Sequence, residues 1–360
     1  MTTGEYGPTL AISKEIHAQK YRSEGETFKD AMTRVAEALK DHENHFNQFR
    51  QILYNQRFLP AGRVQSAMGA PRRVTPYNCF VSDTIDDSME GIMTAATNAA
   101  KTMQLGGGIG YDFSTLRPHG ALIRSLDSRS SGPISFMGIF DSLCKTISSA
   151  GHRRGAQMGV MRVDHPDIEK FIRAKNNSTE LTQFNISVGV TDAFMEAVKT
   201  DDEFDLVFDG RVYKTIMARA LWDDIMRSTY DWAEPGILFI DRINRKNNLH
   251  YCETIAATNP CAEQPLPPNG ACLLGSFNLT KYVVEHEGKY VFNRNMLIHD
   301  IPHVVRAMDN VVDRAGYPTE KQRIEAQTRR RMGLGVTGVA NAIEALGFQY
   351  GSDQFIHSLQ

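Results

Sequence analysis

Residues 257–279 read ATNPCAEQPLPPNGACLLGSFNL and carry three different reactive groups at alternate positions: the amide of Asn259, the thiol of Cys261 and the carboxylate of Glu263. A second thiol, Cys272, follows eleven residues after Cys261, and Pro260 and Pro265 flank the trio. On an extended backbone alternate residues point to one side, so the three groups would stand together. That set suits a hydroxylated substrate: the thiol reacts, the carboxylate takes a proton, and the amide orients the hydroxyls. Taken singly, either cysteine also reads as a small buried hydrophobe, the usual fate of a thiol. Packing does not ask for the combination.

The elements that must position this stretch are read from periodicity. Residues 8–57 are predicted helical, with Phe28, Met32, Val35 and Leu39 at helical spacing. NCFVSD is a short strand candidate. DDSMEGIMTAATNAAKTMQ is a helix with Asp87 or Ser88 near its N-cap, closed by the glycine cluster that follows. Next come a helix (SFMGIFDSLCKTISSA), a strand (GAQMGVMRV), a helix (HPDIEKFIRAK), a strand (FNISVGVT), a helix capped by Asp192 (DAFMEAVKT) and the amphipathic helix TIMARALWDDIMRSTYDWA. Such alternation predicts an α/β chain with mainly parallel pairing, in one continuous domain. Gly333, Gly335 and Gly338 form a G-x-G-x-x-G. A dinucleotide fingerprint would need a buried strand before it, and EAQTRRRM is too charged for one. These glycines are expected instead to let a helix pack closely.

The totals exclude several classes. A chain of 360 residues with a net charge of −2 presents no basic field, which argues against nucleic acid as the main partner. The opening MTTGEYGPTLAISKEIH lacks the regions of a signal peptide, and no run of 18 apolar residues predicts a membrane span. The cysteines at 79, 144, 252, 261 and 272 are odd in number and scattered, which predicts no structural disulfide framework and a reducing, cytoplasmic setting. No CxxC pair occurs, so no metal site is expected.

NPCAEQPL followed by ACLLGSFNL resembles the active-site finger loop of the catalytic (alpha) subunit of ribonucleotide reductase. YNCFVSDTIDDS, LGGGIGYDFSTLRPHGALIR, SSGPISFM, GHRRGAQMGVMRVDHPDIEKFI, FNISVGVTD and RRRMGLGVTGVANAIEALG resemble further segments of that family in the expected order, from about residue 50 onward. The resemblance implies a ten-stranded α/β barrel of the ribonucleotide reductase type, incomplete at its C-terminus. In this reading residues 1–56 are an N-terminal helical segment without an ATP cone, and residues 57–360 are the N-terminal part of the barrel. It also implies roles. Cys261 would become the thiyl radical that takes the substrate's 3′-hydrogen, Glu263 would be the base at the 3′-hydroxyl, and Asn259 would hold the ribose hydroxyls. Cys79 and Cys272 would supply two reducing equivalents and end as a disulfide. Asn78 and Gly108 would line the substrate site, Gly108 because a Cβ there would collide with the ribose. Cys144 and Cys252 match no family role and read as core.

By the same resemblance Asp87 and Ser88 would hold the ribose of a regulatory dNTP or ATP, Arg117 and Arg124 its phosphates, and Arg153 the tip of the loop that relays effector identity. Guanidinium groups suit phosphate, although surface exposure is equally ordinary for arginine. Ser148 and Ser149 stand where relatives often carry a lysine. The implied partners are a ribonucleotide substrate, a second copy of the chain, a thioredoxin- or glutaredoxin-type reductant, and a polypeptide carrying the remaining barrel strands as the other half of a split subunit. The radical would come from a metal-containing beta subunit or from adenosylcobalamin, with no metal held by this chain. The short spacing of Cys261 and Cys272 leans toward class II-like sequences and is shared with some viral class I subunits. Two other readings stay open: a catalytically inactive nucleotide-binding or assembly fragment, and another thiyl-radical enzyme on a related barrel.

Overall fold

The computed structural model describes residues 6–123, 126–147, 155–176 and 179–359. The chain divides into two compact units. One comprises the chain up to Asn78 with Cys272–Tyr317 and the segment from Ala326; the other comprises Cys79–Ala271 with Pro318–Glu325.

In the first unit the predicted N-terminal helical stretch is three helices, Ala11–Tyr21, Phe28–Leu39 and Glu43–Tyr54. The second begins in a capping box: Thr27 accepts from the Asp30 amide, and the Asp30 carboxylate accepts from the Thr27 amide at 3.0 Å. Its apolar stripe of Phe28, Met32, Val35 and Leu39 is buried as the spacing predicts. The 21-residue helix Arg294–Arg314 is tied to this pair by the Asn310 amide, which donates to Leu39 O and to Asp41 Oδ1, both at 2.8 Å. A three-stranded sheet completes the unit. Leu274–Asn278 runs antiparallel to Phe58–Pro60 and parallel to Gly333–Thr337. Two of the three glycines of the G-x-G-x-x-G therefore lie in a strand, not in a closely packed helix. Gly338, at φ +72°, turns the chain into the helix Val339–Ala345.

The second unit is built on parallel strands. The sheet order within it is Gly236–Phe239, Phe184–Val190, Gln157–Arg162, Gly108–Asp112 and Cys79–Val81. The five pair in parallel, as the alternation of strands and helices predicts. Side chains of a strand alternate between faces, and registered residues of parallel neighbours share one. One face carries Ile109, Tyr111, Gln157 and Phe184. It is dry and aromatic: Tyr111 lies 5.0 Å from Phe140 of the helix Pro133–Thr146 and donates its hydroxyl to Gln157 Oε1 at 2.8 Å. The opposite face carries Cys79, Gly108, Gly110, Met158 and Asn185.

Three local expectations are corrected. The helix Asp192–Thr200 is capped by Thr191, whose hydroxyl accepts from the Phe194 amide, so Asp192 is its first residue. Residues Thr215–Met217 belong to the strand Arg211–Met217, and the amphipathic helix begins at Ala218. HPDIEKFIRAK is helical only over Ile168–Ile172. The strand pairs antiparallel with Glu203–Phe208 around Asp209 and Gly210, both at positive φ. An Asp-Gly between alternating apolar residues is a hairpin signal, and it was present in the sequence.

Candidate active site

The trio Asn259, Cys261 and Glu263 sits on a turn, not on an extended strand. Ala257–Thr258 pairs antiparallel with Pro265–Leu266, and residues 259–264 close the hairpin between them. The Ala262 amide donates to Asn259 O at 3.0 Å, the Asn259 amide to Gln264 O at 3.2 Å, and the Gln264 amide to Asn259 Oδ1 at 2.9 Å. Ala262 takes the left-handed conformation, φ +64°, which reverses the chain between the thiol and the carboxylate. The alternation argument therefore fails locally: the three groups share a hairpin tip because a turn gathers them. Cys261 and Glu263 are exposed, whereas Asn259 is fully buried. Its Oδ1 is used within the turn, but its Nδ2 finds no hydrogen-bond partner among the described residues. A buried amide donor left without an acceptor is costly, and a substrate hydroxyl would satisfy it.

The glycine-rich strand seats this hairpin. A Cβ on Gly110 would lie 1.7 Å from Thr258 O, and a Cβ on Gly108 would lie 2.8 Å from Cγ of Pro260. The backbone of the hairpin thus rests where side chains would otherwise stand. In this structure the neighbour that forbids a Cβ at Gly108 is the proline beside the thiol. Gly110 was missed in the sequence, although the G-x-G spacing of GGGIG carried the signal. Asn185 adds a directional contact, donating from Nδ2 to Pro260 O at 2.7 Å. Cys79 is in register with Gly108, which places it on the face that bears the hairpin.

The two units each hold part of the remaining set. In the second, Cys79 is buried and Val81 N donates to Gly270 O at 2.9 Å. In the first, Cys272 is buried, its carbonyl accepts from Asn78 N at 3.3 Å, and Asn78 Oδ1 is buried without a hydrogen-bond partner among the described residues. Cys144 is buried as core, with desolvation and nearby Asp141 pushing its thiol up to about 11, while Cys252 is exposed and not a core residue.

Asp87, Ser88 and Arg117 come together at the start of the helix Met89–Gln104. Ser88 is its N-cap, accepting from the Gly91 amide at 3.0 Å, which settles the choice between Asp87 and Ser88. Asp87 is held by Arg117, which donates from Nε at 2.7 Å and from its backbone amide at 3.1 Å. Arg124 and Arg153, and with them Ser148 and Ser149, lie outside the described residues. Among the described residues no group of three or more His, Cys, Asp or Glu side chains is arranged to hold a metal ion, and no helix is long and apolar enough to cross a membrane.

Residues 77–357 match the family described as ribonucleotide reductase, barrel domain. The chain is 38% identical over 330 residues to a vitamin B12-dependent ribonucleoside-diphosphate reductase of Thermoplasma acidophilum, covering 91% of this chain and 42% of that protein. It is 38% identical over 313 residues to the protein of that name from Mycobacterium tuberculosis (86% and 44%). It is 28% identical over 309 residues to the ribonucleoside-diphosphate reductase large subunit of Vaccinia virus (76% and 39%). The chain thus spans under half the length of these curated relatives. With the glycine-seated Asn-Cys-Glu hairpin inside the matched region, the chain belongs to the ribonucleotide reductase barrel-domain family.

Proposed function

We propose that this chain provides the thiyl-radical site of a ribonucleotide reductase catalytic subunit, which converts ribonucleotides to deoxyribonucleotides. The observation that carries the reading is the hairpin tip itself: an exposed thiol and carboxylate beside a buried amide whose donor is unspent among the described residues. Cys261 as a thiyl radical takes the hydrogen from C3′ while Glu263 takes the 3′-hydroxyl proton. Asn259, with Asn78, holds the ribose hydroxyls. The 2′-hydroxyl leaves as water with a proton from one thiol of the Cys79 and Cys272 pair, and the other thiol's hydrogen goes to C2′. The pair thereby gives two electrons and closes to a disulfide while Glu263 returns its proton to the 3′-oxygen. Cys261 then returns its hydrogen to C3′. The pairing is supported by two backbone bonds, Asn78 N to Cys272 O in the first unit and Val81 N to Gly270 O in the second, which bracket Cys79 along the chain. Relatives named vitamin B12-dependent and a viral large subunit leave two radical sources, adenosylcobalamin or a metal-containing partner subunit. Either supplies one oxidising equivalent to the thiol, and the exposure of Cys261 suits a group that approaches from outside the hairpin.

Asp87, Ser88 and Arg117 form the ribose and phosphate end of a dNTP or ATP effector site, to which we also assign Arg124 and Arg153. The Arg117–Asp87 pair must open or turn for Arg117 to meet a phosphate. The barrel to which we assign the chain is of the ten-stranded ribonucleotide reductase type. The active assembly is a homodimer with a thioredoxin- or glutaredoxin-type reductant, in a cytoplasmic setting. The decisive experiment is the Cys261→Ser variant in a reconstituted system with a radical source. It should still bind a deoxynucleoside triphosphate yet form no deoxynucleotide, because a serine hydroxyl cannot supply the radical; turnover by this variant would overturn the proposal.

A further inference from the structure

We infer that Asn185 is a positioning residue for the radical cysteine, acting through the carbonyl of Pro260; this rests on the reading of Cys261 above. Asn185 is the one exposed position of the strand Phe184–Val190, and the other six of its seven residues are buried. An exposed asparagine near the start of a strand is ordinarily a solvated side chain. Here its Nδ2 reaches across 75 residues of sequence to Pro260 O, at 2.7 Å. Pro260 O belongs to the peptide unit that joins Pro260 to Cys261. Holding that oxygen holds the peptide plane, and a planar peptide leaves only φ of Cys261 and its side-chain torsion to place Sγ.

The register shows why this asparagine falls where it does. Gly110 pairs with Met158, and Met158 with Asn185, so the three form a row on one face of the sheet. At one end of the row Gly110 receives Thr258 O, and at the other Asn185 receives Pro260 O. Those two carbonyls lie two residues apart along the hairpin. The glycine contact is steric and sets only how close the hairpin can come. The asparagine contact has a direction and fixes how the peptide is turned. The bonds inside the turn, from Ala262 N and Gln264 N, preserve its shape but do not hold it against the sheet.

The test is the Asn185→Asp variant, which places an acceptor against an acceptor, with Asn185→Ala as a neutral second change. In hydrogen exchange on the full chain, the Ala262 and Gln264 amides should exchange about tenfold faster, the scale of one lost net hydrogen bond. The Ser187 and Val188 amides in the same strand should be unchanged. In the reconstituted reductase, kcat should fall by roughly tenfold to a hundredfold, as for an ångström-scale misplacement, with KM and effector Kd unchanged. Unchanged exchange and kcat in both variants would overturn the inference. So would faster exchange throughout the strand, or a rise in KM that accounts for the whole loss, since either marks a structural or substrate-binding role. Turnover by Cys261→Ser, run alongside, would instead refute the reading on which the inference rests.

Discussion

Replacing Gly110 with alanine should displace the hairpin that carries Asn259, Cys261 and Glu263 without altering the chemistry of any of their side chains. The added Cβ would stand 1.7 Å from Thr258 O, and Cβ contacts below 3.0 Å are not found in real structures, so about 1.3 Å of movement is required. Gly110 itself cannot yield it. It lies in a strand paired on both sides, with Val81 and with Met158, and its carbonyl accepts from Ser82 N at 2.8 Å. The hairpin, held by a ladder of only two residue pairs, must move instead. Overpacking of this kind costs about 1–3 kcal/mol of stability. A shift of that size in the reacting thiol should lower turnover by about a hundredfold. The assay is denaturant unfolding of the chain together with single-turnover deoxynucleotide formation in the reconstituted enzyme. Gly138→Ala is the control: it lies in the helix Pro133–Thr146 with nothing among the described residues within 4 Å of its would-be Cβ. It should stabilise the chain by roughly 0.5–1 kcal/mol, the helix preference for alanine. A Gly110→Ala variant as stable and as active as the parent would refute the seating of the hairpin on the sheet.

Digestion of the oxidised protein without reductant should yield a peptide joining Cys79 to Cys272 that dithiothreitol removes; Cys261 found in that bridge instead would reverse the assigned roles. Brief alkylation of the reduced native chain at pH 8 should label exposed Cys252 and Cys261 first and spare Cys144, whose burial raises its thiol to about 11; early labelling of Cys144 would contradict its place in the core. Asp41 is bound by Arg306 and Asn310, which hold its carboxyl at about 2, below its ordinary 3.8. A depressed carboxyl contributes stability above its unfolded value and loses it as pH falls through its folded one. The stability difference between parent and Asp41→Asn should therefore be full above pH 4 and shrink toward pH 2, and a pH-independent difference would argue against the ion pair. Asp87→Ala should weaken binding of a deoxynucleoside triphosphate by about 1.5–3 kcal/mol, the scale of a charge-assisted hydrogen bond; unchanged affinity would place the effector elsewhere.

Much of the fold was legible in local pattern. The stripe of Phe28, Met32, Val35 and Leu39 and the Val-, Ile- and Met-rich runs of the parallel strands declare themselves, because burial on one helix face or on both sheet faces constrains residue type at every turn. The reactive trio was legible too, since Asn, Cys and Glu at alternate positions have no packing rationale. Its geometry was not. Spacing suggested an extended strand, and the structure makes a turn through a left-handed Ala262, a conformation that depends on how the two arms of the hairpin meet. Likewise the three glycines near the C-terminal end of the chain gave no sign of a strand, because the partner that makes Gly333–Thr337 one is Leu274–Asn278, far away in sequence. Periodicity records what each residue faces, and it is blind to which neighbour supplies that face. The sequence by itself determined most of the helical and strand segments and set an amide, a thiol and a carboxylate within residues 259–263. Only the tertiary structure decided that Gly110 and Asn185 seat the thiol, because their effect comes from a backbone that approaches from another part of the chain.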